Sequence, residues 1–193
     1  MATTDLELWL IRHGETEWSL SGKHTSRTDL PLTERGRERA GKIREYLHGK
    51  SFSMVLTSPL QRAMDTCKIA GFGDVAQIDN DLREWDYGVY EGRTTKDIQK
   101  EIPGWSVWSN PIIDGETLEQ VAERANRVIA RAVAKGGRVA LFAHAHILRI
   151  LAACWIQSPP VIGSRLALGT GAVSILGFEH QTRVICMWNR SLE

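Results

Sequence analysis

An arginine and a histidine follow each other directly after a short apolar run near the start of the chain. Residues 8–11 predict a strand that is buried on both faces, and Arg12 and His13 stand where that strand ends. Repulsion by Arg12 would disfavour a charged imidazole, so we expect His13 to be neutral, which is its nucleophilic form. Gly14 would let a bulky ligand approach the backbone. These residue types therefore predict a nucleophilic centre at the end of a strand.

Two more polar side chains stand at equivalent places later in the chain. Residues 52–57 predict a second buried strand, and Arg62 lies in the first turn of the helix predicted after it. Arg138–Ala143 predicts a third buried strand, which ends at His144. Open α/β sheets bind their ligands at the carboxyl ends of the strands. We therefore expect Arg62 and His144 to lie beside His13 at one edge of the sheet.

A carboxylate is available in the segment 81–92, where acids, aromatic residues and glycines are mixed as in many pocket walls. Two histidines, two arginines and one carboxylate suffice for phosphoryl transfer without a metal. The arginines and a protonated histidine would stabilise the transition state, while neutral His13 would attack phosphorus. Glu84, or otherwise Asp86, would protonate the leaving alkoxide and then activate water, provided that the surrounding aromatic side chains raise its pKa.

The elements between these groups determine the fold class. Thr33 and Thr117 are typical N-cap residues, and an amphipathic pattern follows each of them. Residues 18–29 have no periodicity and predict a polar loop, whereas 172–178 and 183–188 predict a terminal hairpin. Because strands alternate with helices, we expect the α/β class, as a three-layer α/β/α domain with a largely parallel central sheet.

The composition limits the class of protein. At 193 residues, one domain over 1–193 would bury a sizeable core. The contents of 42% hydrophobic and 24% charged residues indicate no membrane span, and residues 1–7 show no secretory signal, so we expect a cytoplasmic protein. A net charge of +1 argues against nucleic-acid binding. Cys67, Cys154 and Cys186 lie in apolar segments without metal-ligand spacing, so we expect reduced core residues.

The candidate groups lie in short motifs that extend along nearly the whole chain: Arg12-His13-Gly14, Thr57-Ser58-Pro59 followed by Arg62, Leu82-Arg83-Glu84, Asp114-Gly115-Glu116-Thr117 and Ala143-His144. Together they resemble the histidine phosphatase superfamily, which has a phosphoglycerate-mutase-like fold. The resemblance implies that His13 becomes phosphorylated and that Glu84 donates the proton. It implies neither a cofactor nor a metal. It further implies a phosphate pocket of Arg12, Arg62 and His144, and substrate contacts by Ser19, Thr25, Ser26 and Tyr87.

Within this superfamily the chain resembles the sedoheptulose-1,7-bisphosphatase type of sugar phosphatase, through residues 15–19, 29–33, 83–88 and 146–149. That type implies substrate contacts by Arg149 and His180. Ser19 stands where mutases typically carry asparagine, which favours water as the phosphoryl acceptor. Ser26 and Ala145 replace glycines that are usual at these places, which bears on substrate size. We therefore expect a metal-independent phosphatase for a small phosphomonoester, either a sugar phosphate or a sugar bisphosphate.

The sequence leaves three other functions open. One is a phosphoglycerate mutase, and another is a phosphate-binding regulatory module. The third is a metal enzyme built on His144 and His146, which requires both residues to lie on one strand face. Trp105 and Trp108 would either line the pocket or cover the edge of the core. The expected partner is a small phosphorylated metabolite, with no nucleic acid and no membrane, and homo-oligomer formation remains open.

Overall fold

Six strands form one mixed sheet in the computed structural model, which describes residues 5–192. The strand order is β3-β2-β4-β1-β5-β6. The strands are β1 (Glu7–Arg12), β2 (Met54–Thr57), β3 (Gln77–Ile78), β4 (Arg138–Ala143), β5 (Val173–Glu179) and β6 (Thr182–Arg190). Strands β1 to β4 run parallel, whereas β5 pairs antiparallel with β1 and β6 pairs antiparallel with β5. The prediction of a largely parallel sheet with a terminal hairpin is confirmed.

Six α-helices connect or cover these strands within residues 5–192, namely α1 (Glu17–Ser21), α2 (Glu34–Leu47), α3 (Gln61–Ile69), α4 (Thr95–Glu101), α5 (Leu118–Lys135) and α6 (Ala145–Trp155). Short 3-10 turns occupy Asn80–Leu82, Gly88–Tyr90 and Pro160–Arg165. None of the described helices is long and apolar enough to cross a membrane. The prediction of a loop over 18–29 is wrong for α1. This helix buries no residue, so it has no apolar pattern, and a capping box between Thr16 and Ser19 begins it.

The two faces of the sheet carry separate cores, which confirms the three-layer architecture. Alternate residues of β1 point to opposite faces. Leu8 and Leu10 pack in the core that also contains the buried side chains of α5 and α6. Trp9 and Ile11 pack in the core that contains Ile43 of α2 and the buried face of α3. The sheet therefore holds the end of β1 between two layers of helices.

The backbone that follows β1 lies directly against the first turn of α2. A Cβ atom on Gly14 would stand 2.4 Å from the carbonyl oxygen of Gly36, and a Cβ atom on Gly36 would stand 2.2 Å from the carbonyl oxygen of Glu15. The Thr33 hydroxyl also donates to Glu15 Oε1 over 3.0 Å. Gly14 is therefore required by the packing of α2. The expectation that Gly14 makes room for a ligand is wrong, because a carbonyl group fills that space.

We expect Gly36→Ala to destabilise the fold, by about 1–3 kcal/mol, because the new methyl group must displace the backbone that follows His13. Gly41→Ala in the same helix is the matched control, since nothing lies within 4 Å of its added Cβ. Replacing a mid-helix glycine by alanine there should stabilise by about 0.5–1 kcal/mol. Urea unfolding of both variants measures the two effects. Equal stability of both variants would contradict the close contact between α2 and β1.

The three cysteines are free but differ in burial. Cys67 is buried, Cys154 is half-buried and Cys186 is exposed. The expectation that all three are core residues is wrong for Cys186. This residue lies in β6, which is the edge strand of the sheet, so its apolar neighbours in the sequence do not imply burial.

Candidate active site

The carboxyl ends of β1 and β4 bring His13 and His144 together. Parallel pairing aligns Arg12 with Ala143, and the His13 N–H donates to the Ala143 carbonyl over 3.0 Å. The centroids of the two imidazole rings lie 5.1 Å apart, and both side chains are buried. The expectation that strand ends from distant parts of the chain meet at one edge holds for these residues.

One ring nitrogen of His13 is fixed by its own backbone. Nδ1 lies 2.7 Å from the carbonyl oxygen of Gly14, and a carbonyl accepts only, so Nδ1 carries the proton. Nε2 therefore keeps a lone pair that is available for attack. Burial, and then the charges of Arg12 and Arg62, hold the pKa of His13 well below its ordinary value. The imidazole is thus neutral near pH 7, in the direction expected from the sequence.

His144 is also held as a neutral imidazole. Arg62 Nε donates to His144 Nδ1 over 3.2 Å, so the proton resides on Nε2, which donates to Ser58 Oγ over 2.7 Å. Burial, and then the charge of Arg62 and the neighbouring His13, place the pKa of His144 well below its ordinary value. The expectation of a protonated histidine in the phosphate pocket therefore fails for this structure.

Arg62 is completely buried and holds a neighbouring loop in place. Besides its bond to His144, its guanidinium donates to the carbonyl oxygens of Thr28 at 3.1 Å, Thr25 at 3.1 Å and Ser26 at 3.3 Å. One of the five N–H groups of a guanidinium remains beyond these four bonds. In this structure Arg62 thus positions the loop after α1, whereas the sequence had placed it in the phosphate pocket itself.

Arg12 has an unsatisfied donor. Its Nη1 donates to the carbonyl of Leu168, while Nε is buried and has no partner among residues 5–192. Burial lowers the pKa of Arg12 to about 10, and Glu84 partly opposes this effect. A buried donor without a partner costs about 1–3 kcal/mol. An oxyanion that accepts from Arg12 would recover this cost.

Glu84 lies at the amino terminus of α6. Its Oε1 accepts from the N–H groups of Trp85 and Ile147, and its Oε2 accepts from the N–H of His146, with a donor–acceptor distance of 3.0 Å in each case. Burial alone would raise the pKa of Glu84, but hydrogen bonds and positive charge from the neighbouring His146 outweigh burial and hold this pKa well below its ordinary value. The expectation of a raised pKa is therefore wrong. Neighbouring aromatic residues in the sequence do not reveal that a distant helix terminus supplies donors.

Arg12, His13 and Glu84 line a polar cavity of about 230 Å³. Its wall includes the predicted site residues Arg12, His13, Ser19, Thr25, Glu84, Tyr87 and Arg149, together with Thr16, Gly22, Lys23, His24, Ala145, His146 and Leu168. Ala145 thus adds its methyl group to the wall, as expected from its replacement of glycine. Arg62, His144 and Ser26 are buried outside this wall.

A larger cavity of about 640 Å³ lies on the other side of Glu84. Its wall contains Asp86, which forms an ion pair with Arg27 at 2.6 Å. Neither His13 nor Arg12 contributes to it, so its size does not make it the reactive site. Asp86 is therefore poorly placed for the acid role that the sequence left open.

The residues predicted to contact the substrate differ in whether their polar atoms already have hydrogen-bond partners within the protein. The Ser19 hydroxyl is engaged with Thr16 in the capping box of α1, and Thr25 Oγ1 donates to the Lys23 carbonyl over 3.0 Å. Ser26 donates its N–H to the Glu91 carboxylate and lines the larger cavity. Ser26 thus faces the larger cavity, on the other side of Glu84, and its contact with the substrate stays a prediction.

The prediction that His180 contacts the substrate is wrong. His180 is exposed in the turn between β5 and β6. Strand β5 begins with Val173 beside Ile11 and runs antiparallel to β1, so its last residues lie away from His13. The hairpin thus carries His180 to the opposite edge of the sheet.

Two histidines in the wall were not among the predicted site residues. The His24 ring lies 4.8 Å from the Tyr87 ring and 5.4 Å from the Trp105 ring, measured between centroids. Burial, and then the neighbouring His146, lower the pKa of His24 to about 4. His146 had been considered only as a metal ligand. No local pattern could have identified His24, because the surrounding polar loop has no periodicity.

The two tryptophans support the wall from behind. Trp105 is buried against His24, while Trp108 packs against His146 with ring centroids 5.2 Å apart. The Arg149 guanidinium lies 4.7 Å from the centroid of the Trp108 ring. The tryptophans therefore fix the orientation of the groups that line the cavity without themselves forming its surface.

The geometric premise of a metal site on His144 and His146 fails. His144 caps α6 and binds Ser58 and Arg62, whereas His146 lies inside the helix, so the two do not share a strand face. Within residues 5–192 no group of three His, Cys, Asp or Glu side chains could hold a metal ion.

Comparisons with known proteins agree with this geometry. A family model for the histidine phosphatase superfamily (branch 1) matches residues 8–191. An acid phosphatase of Mycobacterium tuberculosis is 39% identical over 191 residues, covering 97% of this chain and 94% of the relative. Sedoheptulose 1,7-bisphosphatase of Saccharomyces cerevisiae is 35% identical over 179 residues, covering 76% and 66%. The solved structure of open reading frame Rv3214 from Mycobacterium tuberculosis superposes with a TM-score of 0.92 at 36% identity, covering 98% of this chain and all of that one.

Proposed function

We propose a mechanism and a substrate class for this chain, which belongs to the histidine phosphatase superfamily and is a phosphoric monoester hydrolase. The substrate is a small sugar phosphate or sugar bisphosphate, and the reaction proceeds through a phosphohistidine on His13. The observation that carries the mechanism is the bond between His13 Nδ1 and the Gly14 carbonyl, since it places the proton on Nδ1 and leaves the lone pair of Nε2 free to attack phosphorus.

The reaction has two displacements at phosphorus. His13 Nε2 attacks phosphorus, the bond from phosphorus to the sugar oxygen breaks, and Glu84 transfers a proton to the departing oxygen. A water molecule then attacks the phosphohistidine, Glu84 accepts a proton from this water, and phosphate leaves His13. Arg12, whose guanidinium lines the cavity, donates to the equatorial oxygens. Arg62 holds the neighbouring loop over residues 25–28 in place.

The polar wall and the named relatives support the substrate class. A cavity of about 230 Å³ suits a small metabolite, and its wall combines Arg149 and Lys23 with the imidazoles of His24 and His146. A bisphosphatase for a sugar is among the relatives. We further propose that the protein works in the cytoplasm as one catalytic domain, without nucleic acid or membrane as a partner.

A panel of sugar phosphates and bisphosphates, assayed for released phosphate, tests this proposal. We expect the highest kcat/KM on a sugar phosphate, and full activity in the presence of a strong chelator. Transfer of phosphate between positions of phosphoglycerate, without net release, would indicate a mutase instead. Loss of activity in chelator would overturn the metal-independent mechanism. No release from any monoester would leave the phosphate-binding module as the remaining function.

We expect Arg149→Ala to lower kcat/KM on a sugar bisphosphate by about 10–100-fold, but on a small aryl phosphate by less than about 3-fold. Its Nε donates to the Gly163 carbonyl over 2.9 Å and its Nη2 to the Ser164 carbonyl over 3.2 Å, so the guanidinium is held rigidly in the cavity wall. Arg165→Ala, which removes an exposed arginine nearby, is the matched control. Proportional losses on both substrates would remove Arg149 from substrate selection.

A further inference from the structure

His146 stands between Glu84 and the cavity. It is the second residue of α6, and its backbone N–H donates to Glu84 Oε2 over 3.0 Å. Its ring nitrogen Nδ1 lies 2.7 Å from Tyr87 Oη and 3.8 Å from the same Oε2. One ring nitrogen therefore faces both a phenol and the carboxylate.

The proposed reaction begins with a protonated Glu84, whereas this structure holds the carboxylate in its charged form. Three backbone N–H groups donate to it, and such bonds favour ionisation. The pKa of Glu84 lies well below its ordinary value, because hydrogen bonds and positive charge outweigh the effect of burial. A general acid of this kind needs a nearby source for its proton.

Most charged or titratable groups around His146 cannot supply this proton. Burial raises the pKa of Tyr87 well above its ordinary value, so the phenol keeps its proton. His24, whose ring centroid lies 6.4 Å from that of His146, has a pKa lowered to about 4, so it carries no proton to give near neutrality. Arg149, on the same helix as His146, remains protonated as guanidinium groups do in proteins. His13 is neutral and needs its proton on Nδ1.

We propose that His146 and Glu84 share one proton, which resides on the imidazole until a phosphoryl dianion binds and then moves to Glu84. This inference rests on the proposed function of the same site. Imidazole suits the role because its ordinary pKa lies near neutrality. A dianion bound next to Glu84 repels its charged carboxylate and so favours the neutral form of the carboxylate.

The proton follows a closed path. While the imidazole is charged, its Nδ1–H donates to Tyr87 Oη. When the dianion binds, the ring turns so that Nδ1 closes its 3.8 Å separation from Glu84 Oε2 to hydrogen-bond distance and passes its proton there. The Tyr87 O–H then donates to the freed lone pair of Nδ1. Glu84 gives the proton to the departing sugar oxygen, later takes one from the attacking water, and returns it to His146. The pair thus begins and ends each turnover with one proton. His146 is a positioning residue that acts through Glu84.

Kinetics of the His146→Gln variant test this relay. Glutamine retains the backbone N–H that holds Glu84 but cannot carry a proton between the partners. We expect kcat/KM on a sugar phosphate to fall about 10–100-fold, with a shifted pH profile, while kcat/KM on 4-nitrophenyl phosphate falls less than about 3-fold, because a good leaving group needs little protonation. His48→Gln is the control, since His48 is exposed beyond the end of α2, outside the cavity wall, and its replacement should leave both substrates unaffected. An unchanged pH profile with equal losses on both substrates in His146→Gln would overturn the relay.

Calorimetry provides a second test that needs no turnover. Tungstate, which is dianionic near neutrality, is titrated into the wild type and into His146→Gln at pH values from about 6 to 8, which bracket the ordinary imidazole pKa, in buffers of different ionisation enthalpy. At a pH where the imidazole is charged before binding and neutral after it, the wild type moves its own proton, so the variant should take up close to one proton more from solvent. Equal uptake by both proteins at every pH would contradict the relay, even if the wild type hydrolyses sugar phosphates as proposed. A wild type that releases no phosphate from any ester would instead refute the proposed function.

Discussion

The His13→Ala variant should lose on the order of 10⁴-fold or more in kcat on every phosphomonoester, because the covalent route disappears with the nucleophile. His13 makes one side-chain hydrogen bond, to the neighbouring Gly14 carbonyl, and lies at the edge of the sheet. Its removal should therefore leave the fold intact. Steady-state kinetics together with an unfolding curve measure both effects.

His48→Ala is the matched control for this variant. His48 is exposed beyond the end of α2, so kcat should stay within about 2-fold of the wild-type value. If His13→Ala unfolds like the wild type and also retains near-normal turnover, then attack by His13 is not part of the reaction.

The Glu84→Gln variant should lower kcat/KM on sugar phosphates by about 10²–10⁴-fold, yet lower kcat/KM on an aryl phosphate far less, because kcat/KM reports the first displacement, in which the sugar oxygen leaves. A sugar alkoxide is a poor leaving group and needs the proton, whereas an aryl oxide does not. The amide also replaces one of the oxygens that accept from Trp85, His146 and Ile147, so some stability should be lost. Activity on the aryl phosphate shows that the variant still binds and reacts.

Comparison of kcat/KM for the two substrate classes measures this effect, because the second displacement is the same for both and does not enter kcat/KM. Asp86→Asn is the control for the acid role, since Asp86 is paired with Arg27 at the larger cavity. Equal losses on both substrate classes in Glu84→Gln, with selective loss in Asp86→Asn, would assign the proton transfer to Asp86.

The parts of the site that could be predicted from the sequence are local. Arg12 and His13 follow a run of buried residues, and His144 ends another, so parallel pairing of β1 with β4 suffices to bring them together. The layers were predicted from the alternation of strands with helices along the chain, because a largely parallel sheet built in this way is covered by helices on both faces. Resemblance of short motifs added the role of Glu84, which spacing alone could not supply.

The parts that could not be predicted depend on contacts between distant residues. The low pKa of Glu84 comes from N–H groups of α6, which lies about 60 residues further along the chain. The predicted substrate contact of His180 is wrong because β5 runs antiparallel to β1 and carries His180 to the opposite edge of the sheet. The sequence pattern does not determine the direction of that strand. The role of Gly14 reflects the approach of Gly36. His24 joins the cavity because the Tyr87 and Trp105 rings hold it there.

The central claim, that His13 is phosphorylated during turnover, is tested most directly by trapping the phosphoenzyme. The enzyme is quenched rapidly during turnover without acid, and the phosphorylated peptide is then analysed by mass spectrometry and NMR. The account predicts one phosphoryl group on the peptide that contains His13, attached to Nε2, because Nδ1 is committed to the Gly14 carbonyl. The label should be absent from His13→Ala. A phosphoryl group on Nδ1, on another residue, or on no residue while a burst of product is released would contradict the phosphohistidine mechanism.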